Sequence, residues 1–204
     1  MSLVPFLHQI QAGNAGHSEE CFIGGKGGAV QIFGRDVTND TTGEIIAGKG
    51  GDTTSSFGGS GGSILVWGKL ASQGDLVNKG IIRAGDGENS NSGFGGFGGS
   101  VWLTASNVYL KGTHQAGKGG NGNPHGFDGF VTIEPHVIAL TKGVSITGGD
   151  ITIFGGDDWT LDFSSLESTA IESTGNITLA VGNNSLVNMT QHDWDKWYGA
   201  KGSG

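Results

Sequence analysis

Short apolar runs separated by polar or glycine-rich stretches recur along the whole chain. They read Val30-Gln31-Ile32-Phe33, Ile64-Leu65-Val66-Trp67, Val101-Trp102-Leu103, Val131-Thr132-Ile133, Ile151-Thr152-Ile153 and Ile177-Thr178-Leu179. These runs are rich in β-branched residues, and most alternate apolar with polar positions, the pattern of a half-buried strand. A second set, Gly43-Glu44-Ile45-Ile46-Ala47, Gly80-Ile81-Ile82-Arg83-Ala84 and Gly112-Thr113-His114-Gln115-Ala116, occupies equivalent places further along each unit. Val108-Tyr109-Leu110 and Val137-Ile138-Ala139-Leu140 predict middle strands. Helix is disfavoured throughout, because each interior glycine costs about 1 kcal/mol relative to alanine and no long stretch escapes glycine.

The runs belong to a repeat. Ala-Gly pairs stand at Ala12-Gly13, Ala47-Gly48, Ala84-Gly85 and Ala116-Gly117, spaced by 35, 37 and 32 residues. A polar glycine-rich stretch follows each pair, then a phenylalanine (Phe22, Phe57, Phe94, Phe127), and in the first three units a Gly-Gly-X-Gly-Gly block at 24–28, 58–62 and 95–99. The strand runs start at residues 30, 64, 101, 131, 151 and 177, so the intervals shrink from 34 and 37 through 30 to 20 and 26. Some twenty to twenty-six residues fit one turn of a β-solenoid, made of three short strands and three turns. The surplus in the early turns is the glycine insert. The expectation is an all-β chain, a single-stranded right-handed parallel β-helix (β-solenoid) of about six turns, with glycine-rich loops along one edge. Glycine-loop turns would fill 10–130, compact turns 131–190, and a C-terminal cap or tail 191–204. Equivalent strands should pair turn upon turn about 4.8 Å apart.

The glycine blocks admit two readings. Glycine permits positive φ and close backbone approach, which suits sharp corners or packed loops; alternatively, neighbouring blocks stack as polyglycine-II-like segments into a second layer beside the β-coil. The four repeat-equivalent phenylalanines are expected to stack as a ladder inside the coil or beneath the loops.

Composition narrows the function. Glycine supplies 42 of 204 residues against three prolines, which excludes collagen. Charged residues make up 15 % and the formal net charge is -8, so the basic footprint of a nucleic-acid binder is missing. A lone cysteine, Cys21, permits no internal disulfide, and no Cys/His cluster suggests structural zinc. No apolar stretch is long enough to span a membrane, and the start lacks the basic n-region and apolar run of a signal peptide. The N-terminus begins in mid-turn, which suggests a section of a longer coil or a self-associating unit.

At the level of motifs, Gly80-Ile81-Ile82-Arg83-Ala84-Gly85-Asp86-Gly87 followed by Phe94-Gly95-Gly96-Phe97-Gly98-Gly99-Ser100-Val101-Trp102-Leu103 resembles the glycine-rich repeats of large secreted and cell-surface right-handed β-helix proteins. Thr174-Gly175-Asn176-Ile177-Thr178-Leu179-Ala180 is similar to the repeats of filamentous-haemagglutinin-type adhesins. A weaker likeness is to phage tail-fibre adhesins that use glycine-rich blocks to hold up receptor-binding loops. The resemblance covers roughly residues 10–187 and implies a secreted or surface-exposed adhesive or scaffolding role; it transfers no catalytic or ligand residue.

Candidate chemistry is sparse. Trp67, Trp102 and Trp159, with Phe97 and Tyr109, are the side chains expected to meet a carbohydrate, since aromatic faces on a β-surface hold sugar rings. Oxygen-rich turns at Asp86 and Glu88 and at Asp157 and Asp158 are candidates for calcium, which takes several oxygen ligands on flexible turns, although local turn chemistry explains the same residues. The nonapeptide of calcium-binding β-rolls is not matched. Polysaccharide cleavage on such a coil would need a strong base with cation clamps, or paired carboxylates about 5 to 9.5 Å apart. Only Arg35 and Arg83 are available as arginines, Asp157 and Asp158 are adjacent, and His17, His114 and His125 accompany no nucleophile motif. The function expected is therefore adhesive or structural, with a glycan or cell-surface receptor engaged along the glycine-loop edge (14–24, 48–59 and 85–96) and a polysaccharide-degrading enzyme as the alternative. The C-terminal piece Gln191 to Tyr198, with three aromatics among charges, is expected to cap the coil, with a partner-docking or disordered tail as the alternative.

Overall fold

The structure, a computed structural model, describes residues 9–17, 23–54, 57–68, 74–154, 160–162, 171–180 and 186–188. Among them are short strands and no helix, and no helix is long and apolar enough to cross a membrane. The strands form three parallel six-stranded sheets visited in rotation. Sheet I holds β2 (Val30–Phe33), β5 (Ile64–Gly68), β8 (Val101–Ala105), β11 (Val131–Glu134), β14 (Ile151–Phe154) and β17 (Ile177–Ala180). Sheet II holds β3 (Val37–Asn39), β6 (Asp75–Asn78), β9 (Asn107–Leu110), β12 (Val137–Leu140), β15 (Thr160–Asp162) and β18 (Leu186–Asn188). Sheet III holds β1 (Gln9–Gln11), β4 (Glu44–Ile46), β7 (Ile81–Arg83), β10 (Thr113–Gln115), β13 (Ser145–Gly148) and β16 (Ile171–Ser173).

Every strand pairs with the one three places away in the chain, so each circuit through the sheets lays one rung on the last. The six run starts read from the sequence form one ladder: Val30 opposite Ile64, then Val101, Val131, Ile151 and Ile177. Alternation sends one side of each strand inward. Val30, Ile64, Val101, Val131 and Ile151 are buried in sheet I, as are Leu76, Val108 and Ile138 in sheet II and Ile45, Ile82 and Ile146 in sheet III. In-register stacking places like residues above one another, so few inward side chains per circuit suffice for a dry core.

Beyond the sheets lies a second structure. The chain leaving sheet III continues straight through 12–16, 47–51, 84–88 and 116–120, and the chain entering sheet I arrives through 24–28, 58–62, 95–99 and 126–129. These outgoing and returning segments form two layers joined by backbone hydrogen bonds. Gly85 N–H donates to Gly62 O at 2.9 Å and Gly85 O accepts from Gly99 N–H at 2.8 Å; Gly87 N–H donates to Lys118 O at 2.8 Å and Glu88 N–H to Gly59 O at 3.0 Å. Within the returning layer, Gly58 and Gly61 donate to Phe94 O and Phe97 O, both three residues apart. Bonds to a given neighbour thus recur every third residue, the period of a polyglycine-II segment. The polyglycine-layer alternative is the arrangement found.

Space explains the glycines better than torsion does. Among the described glycines only Gly143, at φ +89°, has a positive φ. At Gly85, by contrast, a Cβ would fall on the Gly48 carbonyl and crowd the Gly62 N–H, atoms locked in the lattice. Gly16, at the open margin of the first segment, has nothing within 4 Å of its Cβ direction. Gly85→Ala should therefore cost at least about 3 kcal/mol, the upper end of overpacking penalties, and lower the thermal midpoint by about 6 °C or more at 2 to 4 °C per kcal/mol. Gly16→Ala should stay within about 2 °C, because any change there acts mainly on the unfolded chain. Calorimetry on the pair checks both; equal shifts would remove the lattice as the reason for glycine.

Candidate functional site

Three-fold geometry sorts the residues of a Gly-Gly-X segment. Two of every three positions face the other layer or the adjacent segments and are glycine in most rungs, with Ala15, Glu88 and Asp128 as the exceptions; the third carries its side chain outward. In the returning layer the outward positions form columns of aligned residues, set by Gly24 N–H to Phe57 O, Gly58 N–H to Phe94 O and Gly98 N–H to Phe127 O. One column contains Ile23, Phe57 and Phe94; the next contains Lys26, Ser60, Phe97 and Phe127. Phe57 and Phe94 stack with ring centroids 5.3 Å apart and 14° between planes, and Phe97 and Phe127 stack at 5.8 Å and 19°.

Each returning segment runs without a turn into a strand of sheet I, so the outward side chains of that sheet extend the same surface. There Trp102 lies between Leu65 and Thr132 in register, and Trp67 meets Phe33 at 6.2 Å and 39°. Phe33, Trp67, Trp102, Phe97, Phe127 and Phe130 are all 43 % exposed or more. A soluble surface seldom carries so many large apolar groups together unless the patch meets a partner. The outgoing layer on the opposite side is polar. Lys49, Asp86 and Lys118 succeed one another there, Lys49 Nζ lies 3.8 Å from Asp86, and Asp86 Oδ1 accepts the Lys118 N–H at 2.9 Å.

Of the residues read as carbohydrate-facing, Trp67, Trp102 and Phe97 share the aromatic face. Tyr109 is exposed on sheet II, opposite Val77 and Ala139, and belongs to the neighbouring side. Trp159, Asp157 and Asp158 lie outside the described residues, as do Phe22 and the C-terminal 191–204 segment. The expected phenylalanine ladder requires correction. Phe57, Phe94 and Phe127 are 43 %, 44 % and 76 % exposed, on the outside of the returning layer, because the interior positions there admit no side chain. Phe127 also aligns with Phe97 rather than Phe94, since the fourth insert is shorter. Phe33 and Phe130 join the face although neither shares the repeat position of the other phenylalanines; a count by three from Phe94 through Phe97 and Ser100, and from Phe127 to Phe130, is the sequence signal for the second.

Asp86 and Glu88 sit in the polar layer. Partial burial and, after it, the neighbouring Asp52 carboxyl raise the Glu88 pKa above its ordinary value, with Lys49 opposing. Among the described residues no three His, Cys, Asp or Glu side chains gather as a metal site. An open groove of about 670 Å3 at the corner of sheets I and II is lined by Arg35, Asp36, Asp75, Asn107 and His136. Its acids are engaged rung to rung: Asn107 Nδ2 donates to Asp75 Oδ1 at 2.7 Å and the Asp75 N–H to Asp36 Oδ1 at 3.2 Å. Arg83 lies on β7, in sheet III, so the two arginines do not converge.

No family model matches the chain, and neither a curated protein nor a solved structure matches it.

The exposure of the face predicts that it adds little to folding. Phe97→Ser and Trp102→Ser should each change unfolding free energy by less than about 1 kcal/mol, while Leu103→Ala, in the fully buried next position of β8, should cost about 2 to 5 kcal/mol. Urea unfolding of the three variants measures this, and a loss above about 2 kcal/mol for Phe97→Ser would mean the ring is structural.

Proposed function

We propose that the chain is a non-catalytic adhesive or scaffolding module, secreted or displayed on a cell surface, which engages a glycan or a cell-surface receptor across its aromatic face. The three sheets are read as the sides of a right-handed single-stranded β-helix of about six turns, each strand of a six-stranded sheet marking one turn. The observation carrying the reading is the face itself: stacked phenylalanines of the returning glycine layer continuous with the outward tryptophans of sheet I, presented by a backbone whose hydrogen bonds hold it in place. Preorganisation of this kind lets repeated weak contacts add without an ordering cost at each one. An extended ligand with a repeating structure suits columns that repeat from rung to rung. Trp102, flanked by Leu65 and Thr132, offers an indole plane for a sugar ring; the stacked phenylalanines turn their faces to one another and offer edges to apolar parts of the ligand. In this proposal the ligand expected along the glycine-loop edge meets the outer side of the returning segments.

The test is binding of the full chain to a glycan array and to cultured cells. Phe97→Ser and Trp102→Ser should each weaken binding at least about tenfold, equivalent to about 1.4 kcal/mol, while Tyr109→Ser and Lys118→Gln, on other faces, bind as wild type. Binding that ignores both face variants but disappears on removal of 191–204 would transfer the site to the C-terminal segment. Depolymerisation of any polysaccharide that is lost in Asp157→Asn or Asp158→Asn would favour the enzyme instead.

A further inference from the structure

The corner between sheets II and III contains a buried chain of polar side chains that spans three circuits. Asn39 and Asn78 occupy the same register position at the ends of β3 and β6, where the next circuit has Leu110. His114 of β10 takes a place in the column occupied elsewhere by Ile45, Ile82 and Ile146. Asn78 and His114 are 0 % exposed and Asn39 is 9 % exposed. Asn39 Nδ2 donates to Asn78 Oδ1 at 2.7 Å, and Asn78 Nδ2 donates to His114 Nε2 at 2.7 Å.

The direction of this relay is set by backbone carbonyls. Asn39 Nδ2 also faces Gly43 O at 3.2 Å and Ile81 O at 3.3 Å, and Asn78 Nδ2 faces Gly80 O at 3.2 Å. Turning either amide over would set oxygen against oxygen. His114 Nε2 must therefore accept, and the ring proton resides on Nδ1, which donates to Ser145 O at 3.3 Å. A second proton would put an N–H against the Asn78 NH2 group, two donors head to head around an unpaired buried charge. No counter-charge is at hand: Asp40, Lys79, Arg83, Lys111 and Lys142 of this corner are all exposed, Lys79 is paired with Asp40 at 3.6 Å, and β7 and β13 present Ile82 and Ile146.

We propose that the Asn39–Asn78–His114 relay is an acid-sensitive latch: protonation of His114 forces open the corner joining sheets II and III. Strands β4, β7 and β10 lead directly into the outgoing glycine segments, so release there loosens the lattice behind the aromatic face. Burial lowers the His114 pKa from 6.5 to about 4, partly opposed by the Ser145 and Gly112 carbonyls. Because the folded value lies below the unfolded one, the unfolded chain binds more protons between these limits; the stabilisation is complete above pH 6.5 and is lost as pH falls toward about 4.

The experiment follows the His114 ring resonances and backbone hydrogen exchange of the full chain from pH 8 into acid. The latch requires that His114 of the folded protein not titrate near pH 6.5, and that exchange in β4, β7 and β10 accelerate before that in β5 and β8. His114→Gln, which keeps an acceptor but cannot take the proton, should move the acid midpoint about one pH unit lower. Asn78→Asp supplies an anion to the ring and should raise the His114 pKa above 6.5. Folded wild-type His114 titrating near 6.5, or an acid midpoint unchanged in His114→Gln, overturns the proposal; if His114→Gln does not fold, the wild-type titration and Asn78→Asp still decide it.

Discussion

Close approach of bare backbone is the constraint on which the molecule depends. Outgoing and returning segments donate and accept in directions that change with each residue and repeat every third one, which pulls neighbouring chains too near for any Cβ between them. Gly48, Gly62, Gly85 and Gly99 illustrate it: each bonds to the next across the two layers at 2.8 to 2.9 Å. Glycine loses more conformational freedom on ordering than any other residue, and a loop so rich in it would be mobile if its amides faced water. Here those amides face one another, so the entropic cost is offset by hydrogen bonds arranged along the whole insert. The inserts thereby become a structural layer in place of projecting loops.

That lattice has a consequence for surface chemistry. Because most interior positions are closed to side chains, the bulky residues of the segments stand outside apart from Glu88, which takes an interlayer position, and the two layers give their outer positions opposite character. The outgoing layer carries Asn14, Lys49, Asp86 and Lys118, whose side chains and backbone N–H groups link one rung to the next, as Asn14 Oδ1 does in accepting the Lys49 N–H at 2.8 Å. Phenylalanines occupy the returning layer. Its continuity with sheet I joins a period-three pattern to a period-two pattern, so that Phe94, Phe97 and Trp102 emerge on one side although their sequence spacing suits neither period alone. A polar back and an aromatic front on a braced support suit recognition of something extended.

Elsewhere the core follows the simpler rule that like stacks on like, and its departures are informative. Asn39 and Asn78 replace apolar residues at the end of sheet II strands, and His114 interrupts an isoleucine column. Each side chain bonds to the next and to nearby backbone carbonyls, from Gly43 and Ile81 through two amides to an imidazole that ends on Ser145. Unpaired, such groups would each cost about 1 to 3 kcal/mol; joined, they tie three circuits together in one register, a role apolar side chains perform with less directionality.

Much of the fold was legible because repetition converts weak local signals into strong ones. The starts at 30, 64, 101, 131, 151 and 177, the Gly-Ile-Ile-type strands and the middle strands at 108–110 and 137–140 all follow from period-two alternation repeated at variable loop length. Parallel pairing of equivalent residues then needs no further information. The aromatic candidates Trp67, Trp102 and Phe97 were legible as residue types, but not their common face, and Tyr109 looks like them in sequence while lying on another sheet. What the chain could not announce was the third dimension of its glycine segments: whether they bend individually or bond to one another depends on neighbours one circuit away. That packing decided which side of Phe57, Phe94 and Phe127 meets solvent, whereas the alignment of Phe127 with Phe97 follows from their equal spacing to Val131 and Val101. It likewise turned His114, unremarkable among its neighbours in sequence, into the end of a buried relay, because only the stacked circuits bring Asn78 within hydrogen-bonding distance of its ring.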